Sequence, residues 1–362
     1  MMLLASLRRR LLSICAMVCA LAWSVDARAD ATKSKQRYDE AMAAGNAGDL
    51  PRAVTLFQEA LRADPRNFLA AFDLGGAFEA QGDKDGAVAN YRRAVELRPD
   101  FAEAEKQLAT LELLELHEYD HAIRHFRAAL TTAKPYVDAR FPLPRTRGES
   151  LLNLAIAYAQ KNQYGVAKGI GESLLADPTV QRDDATSTRI TMLVARADED
   201  LAPALKRTHG AELDAIRKLL HGGQPAVALP KYQAFERAHP ASQLTAIEQW
   251  DLAEGTGLAF AMTGKGAQTA EPFGRARDAA LHLPYPKLAE TTFNLACALA
   301  ESDKVDDALT ALDELFWLEA ITRYDPASRG KPRYHDKVQT DASLAKVRAS
   351  PKLKPLLAHY GF

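Results

Sequence analysis

The sequence feature that most constrains the fold is a pattern of small, aromatic and proline residues that recurs after 34 positions. The two clearest copies are Ala53, Phe57, Ala60 and Pro65, then Ala87, Tyr91, Ala94 and Pro99. Spacings of four and three place the alanines and the ring on one stripe of an α-helix, and each proline ends its helix because it disfavours helical backbone in the preceding residue. Repetition of this unit predicts stacked helices rather than one globular core.

Small residues also occur on the helix that precedes each stripe. Leu74 and Gly75 lie just ahead of the second copy, and Gly75 is expected to face Ala87 and Ala94, with Tyr91 filling the gap to the next helix. Without bulk at the crossing, two helix axes approach to the low end of ~8–10 Å. Short turns rich in glycine and aspartate join the helices, so the sequence predicts tight antiparallel helix pairs.

This combination of leucine and a small residue on one helix with alanine, an aromatic, alanine and proline on the next resembles the tetratricopeptide repeat. Weaker copies occur in five later windows, at residues 103–135, 148–181, 209–242, 250–283 and 289–322. The resemblance implies an all-α fold, an α-solenoid of about seven helix hairpins that form a right-handed superhelix. It also implies that the first helix of each pair, helix A, lines a concave face.

The first 29 residues have the three parts of a secretory leader. Arg8–Arg10 form a basic start, residues 11–23 form an apolar stretch, and Ala27–Ala29 offer a cleavage site. An apolar run of 13 residues is shorter than the ~20 that a membrane-spanning helix needs. The sequence therefore predicts an exported protein, periplasmic or secreted after cleavage near Ala29, with no integral membrane segment in the mature chain.

The repeats and their interruptions predict the domain organisation. The expected segments are a signal peptide at 1–29, an N-terminal array of about four repeats at 30–181, a connecting helix at 182–208, a C-terminal array of about three repeats at 209–322, and a cap at 323–362. A basic, proline-rich stretch at 134–147 predicts an exposed loop, either a spacer or a contact site. Pro203 is expected to kink or end the connecting helix. In the cap, Asp341 and Ser350 are predicted helix N-caps, and Pro351 a first helical residue.

Charge and cysteine content exclude several classes of protein. The chain has 46 basic and 47 acidic side chains, and loss of the leader, with four arginines and one aspartate, leaves 42 and 46. A weakly acidic surface predicts no nucleic-acid partner. Two of the three cysteines also leave with the leader, so Cys297 has no partner for an intramolecular disulfide. We expect it to be a buried, inert thiol.

No arrangement of catalytic residues occurs in the sequence, so we predict no enzyme and no cofactor. The strings at 262–269 and 81–88 imitate a phosphate loop and a calcium loop, but each lacks required ligands and falls in a turn between helices. His121 and His125, four residues apart on one helix, are the best metal candidates. Zinc normally needs three or four ligands, so a solvated helix flank is the simpler interpretation.

The resemblance also implies which residues a partner would contact. In tetratricopeptide proteins the groove is lined by the second, fifth, sixth, ninth and twelfth positions of helix A. The corresponding residues are Tyr38, Met42, Leu69, Phe72, Asp73, Glu79, Asn153, Ile156, Phe293 and Asn294. This lining is aromatic and mixed in charge, which favours a hydrophobic segment or helix over a C-terminal carboxylate as the client.

The sequence therefore predicts a non-catalytic scaffold of the bacterial cell envelope that binds a protein or peptide on a preorganised surface. Two alternatives remain open at this stage. One is a structural assembly factor that acts through its edges and the 134–147 loop. The other is a metal-binding or enzymatic helical protein that uses His121 and His125.

Overall fold

The computed structural model describes residues 30–131, 135–136, 138–180, 183–322 and 333–362, so the predicted leader lies outside the described residues. Within these ranges the chain is helical and contains no β-strand, which confirms the all-α prediction. None of the described helices combines the length and the apolar character needed to cross a membrane.

The described residues divide into two compact units, one that ends at residue 115 and one that begins at residue 116. The helices of the N-terminal unit are α1 (residues 30–46), α2 (Leu50–Ala63), α3 (Phe68–Ala80), α4 (Lys84–Leu97) and α5 (Ala102–Leu114). Those of the C-terminal unit are α6 (Tyr119–Thr131), α7 (Leu143–Gln160), α8 (Tyr164–Ala176), α9 (Asp184–Leu201), α10 (Gly210–His221), α11 (Pro225–Ala238), α12 (Ala246–Met262), α13 (Ala270–Ala280), α14 (Tyr285–Glu301), α15 (Val305–Ile321), α16 (Tyr334–Thr340), α17 (Ala345–Ala349) and α18 (Leu353–His359). The four repeats predicted for residues 30–181 fall on both sides of this division.

Consecutive helices pack against each other from α2 to α5, from α6 to α9 and from α10 to α15, as the hairpins of the repeat resemblance imply. The buried side chains of α4 are Ala87, Tyr91 and Ala94, the three residues of the predicted stripe. The turn before α4 is fixed by Gly82, whose φ of +80° suits glycine, and by Asp83, whose side chain accepts a hydrogen bond from the backbone N–H of Gly86. The turn before α2 uses a glycine and an aspartate in the same way. Local sequence therefore accounts for these hairpins.

Gly75 lies against the ring of Tyr91, which corrects the prediction that this ring fills the gap to the next helix pair. A β-carbon added at Gly75 would stand 2.8 Å from Cδ1 of Tyr91, closer than such atoms approach in proteins. The ring also lies 5.5 Å from that of Phe72, centroid to centroid. Tyr91 thus fills the space inside its own hairpin, and glycine is required because the ring is there.

We expect Gly75→Ala to lower the free energy of unfolding by ~1–3 kcal/mol, because the new methyl group overpacks the Tyr91 ring. Gly76→Ala is the matched control, since its β-carbon would meet only the Tyr91 hydroxyl at 3.5 Å, an ordinary contact. Alanine has the higher helix propensity, so this control should be neutral or stabilising. Chemical denaturation of the two variants measures the difference. Equal stabilities would contradict the contact between Gly75 and Tyr91.

Two local predictions about prolines are wrong. Residues 143–147, predicted as the end of an exposed loop, are the start of α7, and Thr146 among them is buried. Proline is tolerated in a first helical turn, so Pro142 and Pro144 begin this helix instead of preventing it. In the tail, Pro351 lies in a turn, and α18 begins only at Leu353. Asp341 does cap a helical turn, since its side chain accepts from the N–H of Ser343.

In the C-terminal unit, α7 and α8 contact helices far away in the sequence. A β-carbon at Gly165, in the first turn of α8, would stand 1.8 Å from the carbonyl oxygen of Leu283, between α13 and α14. Indole Nε1 of Trp317 on α15 donates to the hydroxyl of Tyr158 on α7 at 3.4 Å. A solenoid in which each repeat touches only its neighbours does not make such contacts. The C-terminal unit therefore closes on itself.

The C-terminal helices cover the last repeat. The ring of Tyr334 on α16 lies 5.5 Å from that of Phe293, and the carbonyl oxygen of Val338 accepts from the Arg348 guanidinium at 2.9 Å. Val338, Leu344 and Val347 are fully buried. We propose that this segment caps the apolar end of the helix stack, as repeat arrays require.

Candidate peptide-binding surfaces

In the N-terminal unit, α1 and α3 present predicted groove residues side by side. The hydroxyl of Tyr38 on α1 donates a hydrogen bond to Oδ2 of Asp73 on α3 at 2.7 Å. The Nδ2 of Asn67, which caps α3, donates to Oγ of Ser34 at 3.0 Å. Two cross-helix hydrogen bonds therefore fix how these helix A faces lie together.

The predicted residues of this unit differ in how far a partner could reach them. Tyr38, Met42, Leu69 and Asp73 are half-buried, and Glu79 is exposed. We call these five residues the N-terminal surface. The carboxylate of Glu79 accepts from the Tyr91 hydroxyl at 2.8 Å, and burial together with this carboxylate raises the pKa of Tyr91. The surface thus combines apolar side chains with two acidic ones.

Phe72 is placed differently from the rest of the predicted groove. Its side chain is 4 % exposed, and its ring lies 5.5 Å from that of Tyr91 and 4.8 Å from that of Phe101. The ring therefore packs between successive helices instead of pointing to solvent. Its role in the structure is to join repeats, since aromatic pairs at these distances stabilise the packing beyond the area they bury.

The predicted residues of the C-terminal unit also separate into two kinds. Asn153 and Ile156 are half-buried on α7. Phe293 is 7 % exposed, because Tyr334 covers it and the Nζ of Lys337 lies 5.5 Å from its ring centroid. Asn294 is bound within the fold, where its Nδ2 donates to Oε1 of Glu254 at 2.7 Å.

Glu254 was not among the predicted groove residues, although the repeat register could have found it. A β-carbon at Gly257 would meet the Phe273 ring at 2.8 Å, as one at Gly75 would meet the Tyr91 ring, so the two glycines are equivalent. Counting back three positions from each gives Glu254 and Phe72. The helix A position that carries an aromatic ring in α3 carries a carboxylate in α12.

A cluster of polar side chains surrounds Trp250 next to this carboxylate. Its indole Nε1 donates to Oγ1 of Thr291 at 2.8 Å, and the Nζ of Lys287 lies 3.4 Å from a ring centroid. The guanidinium of Arg217 lies 5.4 Å from the ring and forms an ion pair with Asp251, which is 2 % exposed. We call Arg217, Trp250, Asp251, Glu254 and Lys287 the Trp250 cluster. Most of it is shielded from water, which strengthens its charge interactions.

Burial shifts the pKa values of two groups in this cluster, the Glu254 carboxyl group and the Lys287 ammonium group. Glu254 is 4 % exposed, and burial raises the pKa of its carboxyl group to about 7, although the hydrogen bond from Asn294 acts in the opposite direction. Its second oxygen, Oε2, accepts no hydrogen bond from the described residues. Burial lowers the pKa of the Lys287 ammonium group, and the neighbouring Arg217 adds to this effect. A proton on Glu254 would relieve the cost of an ionised carboxylate in this place.

The metal and thiol candidates have simple structural descriptions. His121 is exposed at the start of α6, where its Nδ1 lies 3.2 Å from Oε2 of Glu118, and His125 is half-buried one turn later. Cys297, expected to be buried, is instead of intermediate exposure. Burial nevertheless raises the pKa of its thiol to about 12, so the thiolate needed for nucleophilic chemistry is scarce at neutral pH.

The chain is similar in part to known tetratricopeptide-repeat proteins. The tetratricopeptide repeat family model matches residues 38–102. Cellulose synthase operon protein C of Escherichia coli (strain K12) is 33% identical over 96 residues, which are 26% of this chain and only 8% of that protein. Among solved structures, the type IV pilus biogenesis factor PilW is 21% identical (68% of this chain, 97% of that one, TM-score 0.33), and a tetratricopeptide repeat protein from Parabacteroides merdae ATCC 43184 is 15% identical (81% and 97%, TM-score 0.32).

Proposed function

We propose that this chain, which is a tetratricopeptide-repeat protein, is a non-catalytic scaffold that binds a protein or peptide client through the N-terminal surface. The observation that carries the proposal is the pair of cross-helix hydrogen bonds that fixes the helix A faces before any client binds. A preorganised surface binds without first ordering its own side chains, which lowers the entropic cost of association.

The chemistry of this surface indicates what kind of client it would take. Met42 and Leu69 offer apolar contact, while Asp73 and Glu79 add two carboxylates. An extended or helical segment that places an apolar side chain beside a basic one complements this arrangement. We propose further that the client is met in the cell envelope after export, and this rests on the leader predicted for residues 1–29.

Capture of client proteins from an envelope extract of the source organism tests the site. Leu69→Glu should abolish capture of proteins that the unchanged chain retains, because a charge at this position removes apolar contact area from the surface. Val227→Glu is the matched control, since Val227 is a 46 % exposed apolar residue of α11 in the other unit. If Leu69→Glu, folded as judged by its melting temperature, captured the same proteins as the control, the N-terminal surface would not be the binding site.

A further inference from the structure

The last three residues of the chain lie where α6 meets α15 in the C-terminal unit. The hydroxyl of Tyr360 donates to Oδ1 of Asp313 on α15 at 2.7 Å, and it accepts a hydrogen bond from the guanidinium of Arg127 on α6. Arg127 also pairs with Oδ2 of Asp313 at 2.5 Å. The Tyr360 hydroxyl therefore bridges α6 and α15. It does so at an ion pair whose two residues, Arg127 and Asp313, are 186 positions apart in the sequence.

Aromatic rings surround the same guanidinium. The Cζ of Arg127 lies 5.4 Å from the ring centroid of Trp317 and 5.7 Å from that of Tyr360. Trp317 is 2 % exposed and hydrogen-bonds to Tyr158 on α7, so the contact continues into the α7–α8 hairpin. Cations above partly desolvated rings are held more strongly than at exposed sites. Arg127 and Tyr360 thus join α6 and α7 to α15.

The final phenylalanine secures the tail beside this contact. Its ring stacks on that of His335, at 4.1 Å between centroids and 8° between planes, and meets the edge of the buried Phe316 ring at 6.0 Å. Phe362 is itself 38 % exposed, so this side of the tail remains open to water. Leaving the site would cost the tail only a small apolar area.

The remainder of α18 is weakly attached. Leu353 is its only buried residue, and an open surface groove lies between the middle of α18 and α15, lined by Leu309 and Thr310 on one side and Leu356 on the other. A segment with few buried apolar contacts opens at a lower free energy than the core around it. The attachment of the tail is therefore concentrated in its terminal residues.

We propose that Tyr360–Phe362 act as a latch for the C-terminal unit. When the latch is docked, it holds Arg127 against Asp313 and keeps α6–α8 packed on α13–α15. When it is released, α6 loses its hydrogen-bond bridge and the unit opens along the line where Gly165 meets Leu283. Closed and open forms of this kind are two states whose populations a few contacts can shift.

Hydrogen exchange of the full chain, measured by mass spectrometry, tests the latch. A double variant, Tyr360→Ala with Phe362→Ala, should speed exchange at residues 164–170 and 281–287 at least tenfold. Arg127→Met should do the same at those segments, although it leaves the tail sequence intact. Tyr360→Phe, which keeps the ring but loses both hydrogen bonds, should fall between these variants and the unchanged chain. Lys354→Ala, at an exposed position of α18, is the matched control.

The pattern of exchange separates the latch from a merely local packing role. The latch requires that α10–α12 and the N-terminal unit keep their protection while the two segments that meet at Gly165 and Leu283 lose theirs. Faster exchange confined to α15–α18 would show that the tail only covers its neighbours and would overturn the proposal. Uniformly faster exchange through α6–α15 would overturn it as well, because that result means unfolding instead of opening.

Discussion

Gly165→Ala is expected to lower the free energy of unfolding of the C-terminal unit by about 3 kcal/mol or more, at or beyond the upper end of usual overpacking costs. The new β-carbon would stand 1.8 Å from the carbonyl oxygen of Leu283 and 2.5 Å from its carbonyl carbon. A side chain could rotate out of the way, but a carbonyl group in the turn between α13 and α14 can move only if that backbone moves. Relief of the clash therefore requires α8 to separate from α13–α14.

Gly274→Ala is the control for this experiment. Gly274 lies inside α13, and a β-carbon there would meet no atom within 4 Å, so the variant should gain about 0.5–1 kcal/mol from helix propensity alone. Denaturant unfolding, followed by circular dichroism, measures both variants. If Gly165→Ala unfolded at the same denaturant concentration as Gly274→Ala, the closure of the C-terminal unit on itself would be contradicted.

Gly75 and Gly165 show what the repeat pattern can and cannot predict. The 34-residue period predicts a small residue at Gly75 on the hairpin crossing, although it assigns Ala87 and Ala94, instead of Tyr91, as the residues that Gly75 faces. Gly165 was not found, because its partner Leu283 is more than a hundred residues away and a nearest-neighbour pattern carries no information about such contacts. The hairpins were thus predictable from local spacing, whereas the closure of the C-terminal unit depends on which distant faces complement each other.

The candidate surfaces show the same division between local register and long-range packing. The register placed Tyr38 and Asp73 on adjacent helix A faces, where the structure joins them by a hydrogen bond. It also selected Phe293, but α16 covers that ring, and nothing in the repeat itself predicts where the tail packs. Counting back three positions from Gly257 reaches Glu254, but no local pattern predicts that a carboxylate at this position is buried.

Stability should fall with rising pH because of Glu254. The folded-state pKa of its carboxyl group is about 7 against 4.5 for the ordinary group. Below pH 4.5 the group is protonated in both states and costs nothing, while above pH 7 both are ionised and the folded state carries the charge without water around it. Between pH 4.5 and about 7 this group binds more protons in the folded state than in the unfolded state. The free energy of unfolding therefore falls by up to about 3 kcal/mol as the pH rises through this range.

Glu254→Gln isolates this contribution, because glutamine does not titrate and its oxygen can still accept the hydrogen bond from Asn294. Unfolding free energies at pH 4.5, 6 and 8 should show the unchanged chain losing stability relative to the variant, with most of the difference appearing between pH 5 and 7. Glu271→Gln, at a side chain that is 71% exposed, is the control for removal of a carboxyl group outside the Trp250 cluster. Because other groups titrate equally in all three proteins, only the difference between the curves reports on Glu254. A constant difference across this range would mean that the carboxyl group ionises near its ordinary pKa, and that water or a neighbouring cation reaches Oε2 inside the Trp250 cluster.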